Sequence, residues 1–80
     1  MSVAVRLSGP LAARLGPRRR VELPAGATAA ELVAELGRQA GLAPGELRGL
    51  AVVAGGAFLA REHVLADGLQ VHVLVPVAGG

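Results

Sequence analysis

The sequence contains no cysteine, so disulfides and thiolate metal sites are excluded. It also contains no lysine: all 8 basic side chains are arginines, which excludes Schiff-base chemistry and a lysine-type phosphate loop. Tryptophan and tyrosine are absent, and Phe58 is the one aromatic residue. Because nucleic-acid binding needs stacking aromatics and a wide basic face, we expect no nucleic-acid partner.

Metal and membrane sites are also not predicted. The two histidines, His63 and His72, have no third ligand near them in the sequence, so we expect no bound metal. The longest apolar run, Leu50 to Ala60, is much shorter than the roughly 20 residues of a membrane helix. The N-terminal segment has no signal-peptide pattern. We therefore expect a cytoplasmic protein without a membrane partner.

The chain length of 80 residues predicts a single domain, residues 1–80, with residues 76–80 as a flexible C-terminal tail. A domain this small buries only about 60% of the surface of its unfolded chain. Its composition is 52% hydrophobic, which is enough for one small core. We therefore expect a compact and efficiently filled core.

Two alternating segments near the N-terminus predict strands. "SVAVRLS" places Val3, Val5 and Leu7 on one face, and "RRVELP" turns two apolar side chains inward before a proline ends it. Between them, "GPLAARLGPRRR" carries two Gly-Pro pairs and predicts the turn of a hairpin. Its arginines, Arg18 to Arg20, are interpreted as a solvated turn, and contact with a partner is left open.

The segment "GATAAELVAELGRQAG" predicts the main helix. Thr28 followed by Glu31 is a capping-box pattern, which satisfies backbone N–H groups at the helix start. Leu32 and Leu36 belong to one apolar stripe. Gly41 suits the position after the last turn, where a positive φ is favoured.

Three further strands are predicted in the second half. "LAVVAGG" and "AFL" give two of them, an Asp-Gly turn follows, and "LQVHVLVP" gives the last, with Val71, Val73 and Val75 on its inner face. With the last strand parallel to the first, the order β-β-α-β-β-β forms an α+β roll. The predicted fold is the β-grasp (ubiquitin-like) roll, a mixed sheet of four to five strands packed on one main helix.

No residues of the predicted roll form a recognisable active site. A triad of Ser8, one histidine and Asp67 has no supporting motif, and His72 is expected on the exposed face opposite the valines. Glu31 and the other helix carboxylates are explained by capping and solvation. We therefore expect no autonomous enzyme activity.

The segment "VPVAGG" is the stronger candidate. Pro76 cannot donate to a sheet ladder and so releases the chain from the sheet. Val77 and Ala78 are small and apolar, and Gly79 and Gly80 can enter a channel too narrow for side chains. If a partner converts the Gly80 carboxylate into an acyl-adenylate, a sulfur or amine nucleophile can attack its carbonyl carbon.

Several stretches together resemble a known family, the small subunit of molybdopterin synthase within the ubiquitin-like sulfur carriers. These stretches are "VRL", "VELPAGATAAELVAEL", "LADGLQV" and "PVAGG", in that order. The resemblance implies that Gly80 is adenylated by an enzyme related to ubiquitin activators and thiocarboxylated by a sulfurtransferase system. It implies no bound cofactor, since the ATP is used by the activating partner.

The same resemblance implies a partner and a substrate. The tail would enter the large subunit of molybdopterin synthase, in a heterotetramer, and donate sulfur to cyclic pyranopterin monophosphate. Gly80 would carry the sulfur, Gly79 would give clearance, and Pro76 to Ala78 would guide the tail. Where the family often has an aromatic residue, this chain has Ser8.

Phe58 and Leu74 are the predicted docking residues on the surface of the roll. Leu74 alternates with the inner valines, and an exposed Phe58 would be an apolar anchor; core filling by Phe58 is an equally good interpretation. Two other functions stay open. One is a sulfur carrier for thiamine, tRNA thiolation or cysteine synthesis, and the other is a β-grasp binding module that is never activated.

Overall fold

The computed structural model of the protein describes residues 1–76. Its elements are β1 (Ser2–Leu7), α1 (Gly9–Leu15), β2 (Arg18–Glu22), α2 (Ala29–Ala40), a 3-10 helix (Pro44–Leu47), β3 (Ala51–Ala54), β4 (Ala57–Phe58) and β5 (Gln70–Leu74). The five strands form one sheet in the order β2-β1-β5-β3-β4. β5 runs parallel to β1, and the other neighbours are antiparallel. The predicted α+β roll is confirmed.

Alternation along the strands creates the core. Val3, Val5 and Leu7 of β1 are buried on the inner face of the sheet. The helix α2 covers this face and contributes Leu32 and Leu36, which are also fully buried. Because side chains two apart on a strand share a face, the residues between the buried ones lie on the opposite, outer face.

Both ends of α2 follow the sequence prediction. The Thr28 hydroxyl accepts a hydrogen bond from the Glu31 N–H at 3.3 Å, and the Glu31 carboxylate accepts one from the Thr28 N–H at 3.2 Å. At the other end, Gly41 has a φ of 71° and its N–H caps the last turn. The helix that covers the core is therefore fixed at both termini by its own sequence.

A glycine inside α2 allows a close approach. A Cβ atom at Gly37 would lie 2.9 Å from Cδ2 of Leu47, which belongs to the following 3-10 helix. The missing side chain therefore lets Leu47 pack directly against the helix backbone. This contact explains why a residue that weakens helices stands in the middle of α2.

The prediction of a turn between β1 and β2 is wrong, because most of the segment between these strands forms α1. Pro10 lies in the first turn, where its missing N–H costs no hydrogen bond, and Leu11 is fully buried. Arg14 also donates a hydrogen bond from Nη1 to the Ala40 carbonyl of α2 at 3.1 Å. β1 and β2 do pair antiparallel as expected, but a helix connects them.

Two further expectations are corrected. Arg18 to Arg20 are exposed but do not form a turn: "RRVELP" is a strand as predicted, and β2 extends it back to Arg18, pairing with β1 along its whole length. Val75 is not an inner-face core residue: it follows the end of β5 and is 53% exposed. The inner face of β5 is formed by Val71 and Val73 alone.

Candidate functional site

The outer face of the sheet collects the side chains that the core does not use. Strand register places the following outer-face residues in one row across the sheet, from edge to edge: Arg18, Arg6, His72, Val53 and Phe58. The row is basic at the β2 edge and apolar at the β4 edge. The outer face is therefore divided into a charged half and an apolar half.

The charged half consists of Arg6, Arg18 and Arg20, and we call these three residues the arginine wall. Arg6 and Arg18 are directly opposite each other in the ladder, and Arg20 lies on the same face two residues along. All three are exposed, and none forms an ion pair or side-chain hydrogen bond with any other residue among 1–76. Like charges directly opposite each other destabilise a sheet.

No carboxylate in the part of the chain that the structure describes forms an ion pair with the arginine wall. Glu35 on α2 accepts two hydrogen bonds from Arg38, at 2.9 and 2.6 Å, and a third from Gln39 at 2.7 Å. The hydrogen bonds from Arg38 and then Gln39 lower the pKa of Glu35 to about 2. Near the arginine wall, Glu22 ends β2 and its carboxylate is 4.0 Å from the N-terminal amine.

The arginine wall borders a depression of about 700 Å³ on the outer face. The arginines form one side, and the Gly55-Gly56 turn, which has no side chains, lies at the other. Ala4, Gln70 and His72 are among the residues between them. The depression is therefore bounded by cationic side chains on one side and is open at the glycine turn on the other.

His72 forms the main polar contact of this surface. Its Nε2 atom is 2.8 Å from the hydroxyl of Ser8, in a partly buried hydrogen bond that joins β5 to the residue after β1. The Ser8 N–H also donates to the Val73 carbonyl at 3.3 Å. His72 lies on the outer face opposite the buried valines, as expected, but it is half-buried and hydrogen-bonded rather than exposed.

Ser8 and His72 do not form a catalytic triad. Asp67 accepts a hydrogen bond from the Ser2 N–H at 2.7 Å, before β5 begins, whereas His72 lies in the middle of that strand. Sequence reasoning considered Ser8 and His72 only as part of a triad and missed their direct contact. The signal for it was the predicted parallel pairing of the first and last strands.

The predicted docking residues have different surroundings. Phe58 is 68% exposed in the edge strand β4, so the core-filling interpretation is wrong. Leu74 is half-buried on the outer face opposite Ala51, and Pro76 is exposed after the end of β5. The other predicted site residues, Val77, Ala78, Gly79 and Gly80, lie outside the described residues.

Other kinds of site are not found in residues 1–76. No group of three or more histidine, aspartate or glutamate side chains there could hold a metal ion. Neither helix type in that part of the chain has the length and apolar character needed to cross a bilayer.

Comparison with known proteins gives one family match and many matches of fold. The sequence profile of the ThiS family matches residues 5–80. No curated protein is significantly similar to the chain in sequence.

Solved structures share the architecture at low identity. SAMP1 from Haloferax volcanii is 22% identical over 100% of both chains, with a TM-score of 0.75. A Pyrococcus furiosus protein assigned as molybdopterin converting factor subunit 1 is 20% identical over 96% of this chain and 99% of its own, with a TM-score of 0.78. The ubiquitin of Caldiarchaeum subterraneum is 17% identical over 100% and 98%, with a TM-score of 0.67. These likenesses establish the fold.

Proposed function

Because the chain belongs to the ThiS family, we propose that it is a sulfur carrier whose cargo is held as a thiocarboxylate on Gly80. The resemblance to ubiquitin-like sulfur carriers is confirmed at the level of family and fold. The observation that carries the proposal is the extent of the family match, which includes Gly79 and Gly80. Activation of Gly80 by partner enzymes is part of the proposal.

The position of β5 supports a carrier that acts through its C-terminal residues. β5 lies between β1 and β3 and ends at Leu74, so Val75 to Gly80 follow directly from the centre of the sheet. Fully extended, six residues reach about 20 Å. That length is enough to bring the Gly80 carboxylate into an active site on a partner while the roll stays outside.

Activation proceeds in two chemical steps on partner enzymes. A carboxylate oxygen of Gly80 attacks the α-phosphorus of ATP, and pyrophosphate leaves, which gives an acyl-adenylate. A sulfide supplied by a sulfurtransferase system then attacks the carbonyl carbon, and AMP leaves with the oxygen. The resulting thiocarboxylate carries a nucleophilic sulfur atom, which the free carboxylate lacks.

The proposed acceptor is cyclic pyranopterin monophosphate, bound to the large subunit of molybdopterin synthase. Two sulfur transfers produce the dithiolene of molybdopterin, and each returns Gly80 to the carboxylate. The likeness to molybdopterin converting factor subunit 1 supports this acceptor. We propose a heterotetramer of two small and two large subunits, with Phe58 and Leu74 in the contact surface.

A sulfur carrier for another product is the second candidate. The matching family is named for ThiS rather than for the molybdopterin protein, which favours keeping thiamine, tRNA thiolation and cysteine synthesis as alternatives. All of them use the same loaded Gly80. They differ only in the protein that accepts the sulfur.

Sulfur loading tests the proposal directly. The protein is incubated with candidate activating enzymes, ATP and a sulfur donor, and its intact mass is measured. We expect one carboxylate oxygen to be replaced by sulfur at Gly80, and a variant lacking Gly79 and Gly80 to stay unmodified. Loading by none of the activating enzymes would contradict the carrier function.

Acceptor specificity is then tested with the loaded protein. It is mixed with the large synthase subunit and cyclic pyranopterin monophosphate, and dithiolene formation is followed. Gly80→Ala should fold normally but deliver sulfur poorly, because its methyl group obstructs a channel shaped for glycine. Full delivery by this variant would exclude threading as the reason for the diglycine.

A further inference from the structure

The arginine wall is not explained by folding. Arg6 and Arg18 place two guanidinium groups opposite each other in the ladder, and Arg20 adds a third on the same face. No carboxylate among residues 1–76 pairs with any of them. Because like-charged cross-strand pairs weaken a sheet, this arrangement lowers the stability of the roll. The packing and the ladder bonds of the roll therefore do not require these three charges, which leaves them available to an acidic ligand.

The position of the wall indicates what it binds. It forms the charged side of the depression of about 700 Å³, and the opposite Gly55-Gly56 turn leaves room for another chain. Toward the β4 edge the same face becomes apolar at Val53 and Phe58. A matching ligand is therefore an extended chain that is acidic at one end and apolar at the other.

We propose that this depression binds an acidic segment of a protein partner, with aspartate or glutamate side chains on Arg6, Arg18 and Arg20 and an apolar side chain toward Phe58. Guanidinium groups bind carboxylates through paired, charge-assisted hydrogen bonds, which gives both attraction and orientation. The identity of the partner rests on the proposed function: it is the enzyme that activates Gly80.

A protein fits this surface better than a nucleic acid does. Bases of single-stranded nucleic acid stack on aromatic side chains, and Phe58, the single aromatic residue, lies at the apolar edge away from the arginines. The basic surface is also confined to one end of the sheet, where Glu22 terminates β2. A phosphate backbone would need a longer basic track.

The first experiment uses a defined probe and needs no activating enzyme. The synthetic peptide Asp-Glu-Asp-Ser-Gly-Leu-Phe, amidated at its C-terminus so that only one end is acidic, is titrated into isotope-labelled protein, and backbone amide shifts are followed. We expect saturable shifts at Arg6, Arg18, Arg20, His72 and Val53 that weaken as salt is added, because exposed charges are screened. Absent shifts, or shifts confined to another surface, overturn the proposal.

A pair of matched variants tests the role of charge. Arg18→Glu/Arg20→Glu reverses the wall, and Arg48→Glu/Arg61→Glu makes the same change in net charge beside the other depression, along α2. We expect the first to weaken peptide binding roughly tenfold or more and the second to leave it nearly unchanged. Equal losses would overturn a specific site. Thermal unfolding checks both variants, and the wall variant should unfold no earlier than the wild type.

Other occupants give different results in the same assay. Tighter binding of a single-stranded RNA oligonucleotide than of the peptide overturns a protein partner. Shifts at the wall that depend on protein concentration, without peptide, indicate a second copy of the chain and also overturn it. A peptide carrying lysine in place of its acidic residues should not bind.

Sulfur loading separates this inference from the proposed function. With an activating enzyme that loads the wild type, the wall variant should load more slowly at low salt, and the control variant should load normally. Equal loading of the wall variant overturns the assignment of the partner to that enzyme. If no enzyme loads any form, the carrier function fails while the peptide result still decides whether the acidic site exists.

Discussion

The two faces of the sheet are built from the same strands, yet packing explains only one of them. On the inner face, Val3, Val5 and Val71 are buried under α2 and each position is accounted for by apolar contact. On the outer face, Arg6 and Arg18 repel each other and have no partner among residues 1–76. Folding therefore accounts for the residues of the inner face, whereas the proposed binding accounts for the arginines of the outer face.

The largest expected effect is on the inner face. Leu36→Ala removes a fully buried side chain from α2 and leaves a cavity, so we expect a loss of about 2–5 kcal/mol in the free energy of unfolding. Its matched control is Leu74→Ala on the outer face, where the side chain is half-buried. That change should cost about 1 kcal/mol or less. Urea unfolding measures both, and similar losses would show that the outer face is also core.

A smaller effect is expected at the hydrogen bond between Ser8, which follows β1, and His72 of β5. Ser8→Ala removes the hydrogen bond to His72 and should cost about 0.5–1.5 kcal/mol, because the imidazole is partly buried. Ser2→Ala is the control, since the fold uses the Ser2 N–H rather than its hydroxyl. Unchanged stability of Ser8→Ala would mean that a water molecule replaces the Ser8 hydroxyl as the partner of His72.

The next prediction has the opposite sign. Arg18→Glu converts the like-charged cross-strand pair with Arg6 into an attractive one, so we expect a stability gain of roughly 0.2–1 kcal/mol. Chemical unfolding at low salt measures the gain, which should shrink as salt is added. A loss of stability would remove the argument that the arginine wall opposes folding.

The smallest effect concerns a charge pair on α2, away from the outer face. Hydrogen bonds from Arg38 and then from Gln39 lower the pKa of Glu35 from its ordinary value of 4.5 to about 2. A lowered pKa in the folded state adds stability that is present above pH 4.5 and disappears as the pH falls toward 2.

Arg38→Gln should raise the pKa of Glu35 and slightly lower stability near neutral pH, and the difference should disappear as the pH falls through 2. NMR titration of the Glu35 carboxyl and unfolding measured across this range test the prediction. Arg48→Gln is the control. An unchanged Glu35 titration would show that Gln39 alone holds the carboxylate.

The sequence predicts the inner face better than the outer one for a physical reason. Burial leaves a periodic pattern, so β1, α2 and β5 were located correctly from alternation and capping. α1 was missed because its short apolar pattern lies between two Gly-Pro pairs. Its burial depends on contact with α2, and Arg14 bonds Ala40, 26 residues away.

The outer face is harder because its features depend on register. The alternation of "RRVELP" predicts a strand from Arg19 onward, but only the register with β1 shows that Arg18 joins it and lies opposite Arg6. Ser8 and His72 are 64 residues apart, so their contact requires the parallel register of β1 and β5. The depression depends on how the strands lie together in space, and no single segment encodes it.

The central position of β5 has a mechanical consequence. This strand is bonded to β1 on one side and to β3 on the other, and the tail continues from its end. A pull on the tail along the strand loads the hydrogen bonds of both ladders together, since ladder bonds cross the strand direction. They resist as a group instead of opening one after another. Under the proposed function, a partner that pulled on the C-terminal end of β5 would therefore meet the resistance of both ladders at once.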